Sequence, residues 1–451
     1  MTEETATRLK VAVHIGLAMT MAYGLALSFD WSRPKWAAFT VAVIALPSVE
    51  QSLGKGRQRI LGSILAATVA LVLVALFSQE RWFFILCMSL WLAFCTYMTG
   101  GARNSYFWLC AGFVASIIAM NAVPDPVHAF SLAVSRLLET GLGIASYTVV
   151  AAFMWPARRE AASPEDAATT RFFFPDPERL EMALRVFILY WTGFLAVVYI
   201  PDFPGGLAFL TLFGALAMIK ASTPQLPVSS LYRPVFTAIL ASALIYMLLM
   251  PRLEGFSQLG LLIFGYATAA CYYFHAPRHA LDRVFALVVF AALTGISNEQ
   301  AYTFTAVASV TLQFLCILLL LVIADYLPVQ TDPRHTVLRM LARFERSARA
   351  LAGEQPAATP GWLQRWQAAR DRHEVATLPG KIAPWLERVK PGLDEAALAE
   401  LESLHTAMGE VRDALAQDAA PEQSSVPRSA LENFAGTCAM MDFDAWREPR
   451  F

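Results

Sequence analysis

Charge is scarce in this chain. Asp, Glu, Lys and Arg together make 16% of its 451 residues, against about a quarter in a soluble domain. Hydrophobic residues make 57%, so an ordinary soluble protein is excluded and an integral membrane protein expected. The formal net charge of −1 says nothing about partners, but no basic domain or stripe stands out, which removes nucleic acid from the expected ones. The six cysteines (Cys87, Cys95, Cys110, Cys271, Cys316, Cys438) contain no C-x-x-C pair. Five of them sit in apolar segments, where cysteine behaves as a small hydrophobe, so neither a disulfide framework nor a zinc site is expected. His275 and His279 have the i, i+4 spacing of a metal pair, but Pro277 between them spoils a regular helix. Walker A, GxSxG and HExxH motifs are absent from the sequence, so ATP-driven transport and the common hydrolase designs have no support. No cofactor, no metal and no enzyme activity are expected. Arg8 and Lys10 precede the first apolar run without a small-residue cleavage site after it, which predicts a retained first helix.

What the chain does have is long apolar runs. A spanning helix needs about 20 mostly apolar residues. By that measure the first half predicts segments near 11–29, 34–53, 60–78, 82–99, 105–123 and 132–155. The second half predicts 180–200, 205–221, 233–251, 257–275, 283–297 and 301–327, of which 205–221 and 283–297 are marginal. The expected fold is an all-α membrane protein of about twelve transmembrane helices, arranged as two parallel six-helix repeats with a C-terminal cytoplasmic helical domain. Its expected parts are a first membrane repeat at 1–156, a cytoplasmic linker at 157–178, a second repeat at 179–328 and the helical domain at 329–451. In that last region Leu398, Leu401, Leu404 and Met408 recur at helical spacing.

The loops carry a charge bias. With the N-terminus inside, one side holds Lys55, Arg57, Arg59, Arg103, Arg158, Arg159, Lys220, Arg233, Arg278 and Arg283. The other side holds Arg33, Lys35, Arg81 and Arg252. The positive-inside rule then predicts that both termini are cytoplasmic. The halves also resemble each other at a steady offset. Arg8-Leu9 matches Arg179-Leu180, Asp30 matches Asp202, Arg59 matches Arg233, Arg103 matches Arg278, and Trp155-Pro156 matches Leu327-Pro328. An even number of spans per half makes such repeats parallel.

One stretch stands apart: Lys35 to Leu65, KWAAFTVAVIALPSVEQSLGKGRQRILGSIL. It reads as two membrane segments broken at Pro47-Ser48 and joined by a Gly-rich cationic turn. Trp36-Ala37, Pro47-Ser48 and the run Lys55-Gly56-Arg57-Gln58-Arg59-Ile60-Leu61-Gly62-Ser63 resemble the signature of the fusaric acid resistance and aromatic acid exporter family. A second element, Arg136-Leu137-Leu138-Glu139-Thr140-Gly141-Leu142-Gly143 followed by Trp155-Pro156, resembles the same family. The resemblance covers about residues 8 to 328, more firmly in the first half. It implies a multi-pass inner-membrane protein of Gram-negative bacteria that exports aromatic carboxylic acids, in some members with a periplasmic membrane-fusion protein. The chain departs from the larger exporters in having only a short linker between halves. Its second half has Ala308 and Thr311 where the first has Arg136 and Glu139.

Candidate site residues follow from charge in apolar surroundings. Lys55, Arg57, Arg59, Arg103, Arg233 and Arg278 would ring a cytoplasmic mouth if the repeats face each other, a design that selects anions; the alternative is that they only set topology. Arg59 and Arg233 are expected to start helices, where a cation opposes the macrodipole, with Glu50 as a compensating anion. Arg136 and Glu139 share a helix face at i, i+3 inside an apolar segment, where ionisable groups are costly and face the protein interior or a water path. Arg136 is a candidate substrate counter-ion and Glu139 a candidate proton-coupling carboxylate; a self-neutralising structural pair is the alternative. Asp30 and Asp202 are expected at loops or helix starts, as N-caps, and His14 and Lys220 near cytoplasmic helix ends.

The functional expectation is a proton-coupled secondary exporter of aromatic carboxylates or related organic anions. A passive organic-anion channel of the same architecture and a membrane scaffold acting through its C-terminal domain are the alternatives. The expected partners are small organic anions and the lipid bilayer. A periplasmic membrane-fusion protein and a second copy of the chain, joined through the C-terminal domain, are further candidate partners.

Overall fold

The structure is a computed structural model, and it describes residues 3–44, 49–100, 104–154, 176–222, 228–276, 279–300, 302–325, 333–353, 361–390, 395–417 and 434. Among these the chain is all-helical, with no strand. It divides into two compact units, Met1–Ala167 with Pro177–Asp325, and Ala168–Asp176 with Tyr326–Phe451.

The first unit opens with α1 (Glu3–Ser28), α2 (Lys35–Ile44), α3 (Val49–Phe77), α4 (Arg81–Thr99), α5 (Ser105–Ala122) and α6 (Ala129–Met154). It continues with α7 (Pro177–Tyr199), α8 (Leu207–Ser222), α9 (Ser229–Leu244), α10 (Phe256–Tyr273), α11 (Ala280–Thr294) and α12 (Phe304–Asp325). Eight helices of this unit are long and apolar enough to cross a membrane; α2 and α8 are apolar but shorter. These helices and the family likeness described below make the chain a multi-pass membrane protein.

The packing partners repeat when each helix number is raised by six. Helix α1 lies against α10 and α7 against α4; α5 against α8 and α11 against α2; α3 against α5 and α9 against α11. The same correspondence extends to single residues. Arg8 Nε donates to the Tyr272 carbonyl at 2.6 Å and its guanidinium lies over the Tyr272 ring, at the end of α10. Its counterpart Arg179 lies against Gly100, past the end of α4. A cation there complements the exposed carbonyls of a helix C-terminus.

Three local expectations are overturned. The Gly-rich cationic stretch is not a turn: Val49–Phe77 is one helix, about 43 Å long at 1.5 Å per residue. Arg59 and Arg233 therefore sit inside α3 and α9 rather than at their starts, and no macrodipole penalty needs an anion. Glu50 falls where side chains lie outside the described residues. Glycine in this stretch serves close approach rather than reversal, since a Cβ on Gly62 would meet the Phe107 carbonyl and Cys110 of α5. Asp30 and Asp202 lie in loops, as expected, though not as N-caps. Both are left-handed, at φ 53° and φ 54°, just past the ends of α1 and α7, a conformation that Asp tolerates better than most residues. His14 is not at a helix end; it is buried in the middle of α1 with its ring 4.4 Å from that of Tyr147.

The second unit is built from α13 (Pro333–Gly353), α14 (Trp362–Val389) and α15 (Glu395–Gln417). Their apolar faces meet in a core that includes Val337, Phe344, Val375, Leu378, Ile382, Leu404 and Met408. Lys381 of α14 holds the buried Asp176 at 2.5 Å. Between α13 and α14, Ser347 Oγ donates within reach of both Asp371 (3.2 Å) and Glu374 (3.0 Å), and Arg343 pairs with Glu374.

Candidate anion site along the second helix

The face that α6 turns towards α2 carries Arg136, Glu139 and Gly143, at i, i+3 and i+7. Gly143 fixes the approach, because a Cβ there would collide with the Ala37 carbonyl and the Thr40 side chain. Backbone thus lies against backbone, and Arg136, about two turns earlier on α6, comes over α2. Its guanidinium sits 3.7 Å from the Trp36 ring centroid, close enough for a cation–π contact of roughly 0.5–2 kcal/mol. Trp36 in turn meets Phe39 edge-on at 4.8 Å.

Arg136 and Glu139 form an ion pair at 2.8 Å, with side chains 7% and 4% exposed. The pair does not saturate the guanidinium: Nη2 of Arg136 and Nε1 of Trp36 are buried without a hydrogen-bond partner. A buried donor left unsatisfied costs about 1–3 kcal/mol. The geometry therefore presents a cation, a flat aromatic face and spare N–H groups to one spot, the requirements of a planar carboxylate attached to a ring.

A second cationic group lies further along α2. Lys55 Nζ donates to the Val43 carbonyl at 2.9 Å, near the C-terminus of α2, and stands over the Tyr106 ring at 4.7 Å. The buried Arg59 donates to the Tyr106 hydroxyl at 2.9 Å and lies 5.6 Å from the Phe113 ring, while its Nε has no partner. Trp36 and Val43 are seven residues apart on α2, about 10 Å of helix. Electrostatic interaction links the two groups: Arg136 feels Arg33 and Arg59, and Lys55 feels Arg59 and Arg283 of α11.

The structure thus brings together Lys55, Arg59, Arg136 and Glu139 along α2 and leaves other candidates aside. Arg57 and Arg233 are exposed on α3 and α9. Arg103 and Arg278 lie outside the described residues. Tyr106, Phe113 and Arg283 escaped the sequence reading, since nothing in their spacing distinguishes them from packing or topology residues. His279, weighed as a metal ligand, pairs through Nδ1 with Asp282 at 2.9 Å in the first turn of α11.

Comparison with known proteins bears on the same segment. Residues 9–171 match the fusaric acid resistance protein family. Every residue of the two cationic groups along α2, apart from Arg283, lies inside the family domain. One relative, "Uncharacterized transporter YdhK" of Escherichia coli K12, is 34% identical over 144 residues, 31% of this chain and 22% of its own length. Another, "p-hydroxybenzoic acid efflux pump subunit AaeB" of the same strain, is 29% identical over 147 residues, 30% of this chain and 22% of its own. The matched stretch is about a fifth of the length of each relative. No solved structure matches the chain.

Proposed function

We propose that the chain is an inner-membrane secondary exporter of aromatic carboxylates, proton-coupled through Glu139. One observation carries this reading. In an apolar helix interior, Arg136 sits between an aromatic ring and a carboxylate and keeps an N–H with no protein partner. A substrate carboxylate takes the guanidinium while its ring packs beside Trp36, whose face Arg136 covers. Glu139 competes for the same guanidinium, so anion occupancy and the protonation of Glu139 are linked. Lys55 and Arg59, beside Tyr106 and Phe113, provide the second stop of the path. Similarity to a p-hydroxybenzoic acid efflux pump subunit supports this substrate class.

The architecture that goes with this reading is twelve spans in two parallel six-helix repeats. Both termini and the C-terminal helical domain are cytoplasmic. The six-helix shift of packing partners, the paired left-handed Asp30 and Asp202, and the Arg8 and Arg179 contacts support the repeat. The second repeat carries Ala308 and Thr311 at the positions of Arg136 and Glu139, so each chain has one such site.

The test is transport in everted vesicles with a panel of aromatic acids. Accumulation requires an imposed proton gradient and is lost in Arg136→Ala. In Glu139→Gln, anion binding loses its pH dependence. Downhill transport that continues unchanged in Glu139→Gln, with wild-type pH dependence, refutes coupling through that residue and favours the channel.

A further inference from the structure

The second unit carries a surface that its own core does not use. Helix α14 buries Asp371, Val375, Leu378, Ile382 and Val389 along one side. At about 100° per residue, its first turns place Trp362, Trp366 and Ala369 on the opposite side, roughly 160° away, with Leu363 at the edge. Trp362 and Leu363 are both 63% exposed. Arginines border this stripe. Arg365 is exposed on one flank, and Arg370 on the other lies 5.7 Å from the Trp366 ring. Arg370 also pairs with the buried Asp371 at 2.9 Å, which leaves Arg365 as the freer charge.

Two exposed large apolar side chains in consecutive positions call for a partner, and the composition says which. Tryptophan on one face with arginine along both borders, and leucine just beyond Arg370, is the make-up of a helix that lies in a membrane interface. Arg365 gives it charge complementarity to anionic headgroups. Only residues 326–332 separate α12 from α13, so a bilayer surface is always present at high effective concentration. We propose that the first turns of α14, through Trp362, Leu363, Trp366 and Arg365, dock on the anionic phospholipid surface of the membrane in which the first unit sits.

The test uses the full chain in lipid nanodiscs, with an environment-sensitive fluorophore on Leu363→Cys and the unsubstituted chain as labelling control. Leu363 is exposed, so its replacement leaves the fold intact. Discs of phosphatidylcholine with phosphatidylglycerol are expected to shift the emission to the blue and expose the label to quenching by a lipid nitroxide near the headgroup. Adding Arg365→Glu is expected to lower the docked population at least roughly fivefold, the effect of about one interfacial charge, and Trp362→Ala to lower it further. A label that stays solvent-exposed in every lipid overturns the proposal. So does a blue shift that the lipid nitroxide leaves unquenched, which would assign the stripe to a protein contact such as a second copy.

Discussion

Removing one member of the Arg136–Glu139 pair separates its structural from its functional part. Arg136→Met leaves Glu139 buried and uncompensated in apolar surroundings. Breaking a buried pair in this way costs about 3–5 kcal/mol. At roughly 2–4 °C per kcal/mol for a unit of this size, the midpoint of thermal unfolding in detergent falls by about 6–20 °C. The double variant Arg136→Met, Glu139→Gln removes both charges and keeps similar volumes. Such replacements are often neutral or stabilising, so the midpoint is expected to return to within a few degrees of the starting protein. Transport is expected not to return, because the cation that receives the carboxylate is gone. The assay is thermal unfolding by intrinsic fluorescence, run beside aromatic-acid uptake into everted vesicles. If Arg136→Met alone leaves the midpoint unchanged, the pair is not desolvated as its burial implies. If the double variant transports normally, Arg136 is not the substrate's counter-ion and the pair only packs α6.

Glycine spacing on α6 gives a second expectation. Gly143→Ala drives a methyl into the Ala37 carbonyl and is expected to destabilise by about 1–3 kcal/mol with loss of transport. Gly141→Ala meets nothing within 4 Å and is expected to stabilise by up to about 1 kcal/mol; thermal unfolding of both variants checks the contrast. In the second unit, Lys381→Met strips the buried Asp176 of its ammonium partner. We expect a loss of about 1–3 kcal/mol, moderated by the partial exposure of Lys381. Asp176→Asn added to it is expected to restore most of the loss, read as resistance to limited proteolysis.

Much of this protein is written locally. The length of its apolar runs against the thickness of a bilayer determines an all-helical membrane chain, and each described α-helix of the first unit overlaps an expected segment, although α1 and α3 start 8 and 11 residues early and α2 ends 9 residues short. The i, i+3 spacing of Arg136 and Glu139 alone marks them as a pair, and the motifs around Trp36 and Arg136 point to the family that residues 9–171 match. The Gly-rich stretch was misread because glycine signals a turn only when the chain is read alone. Opposite α5, the missing Cβ of Gly62 lets two backbones approach, and packing overrides the weak helix propensity.

Burial is the property that sequence could not supply, because it depends on what lies across from a residue rather than beside it. Arg59 and Arg233 occupy matching positions in the two halves, yet one is buried against Tyr106 and the other exposed. The same holds for the site itself: α2 is ten residues long, half the segment expected at 34–53. Only the tertiary structure sets Trp36 under Arg136 and the Val43 carbonyl against Lys55, because long-range helix packing, not local periodicity, decides which side chains meet.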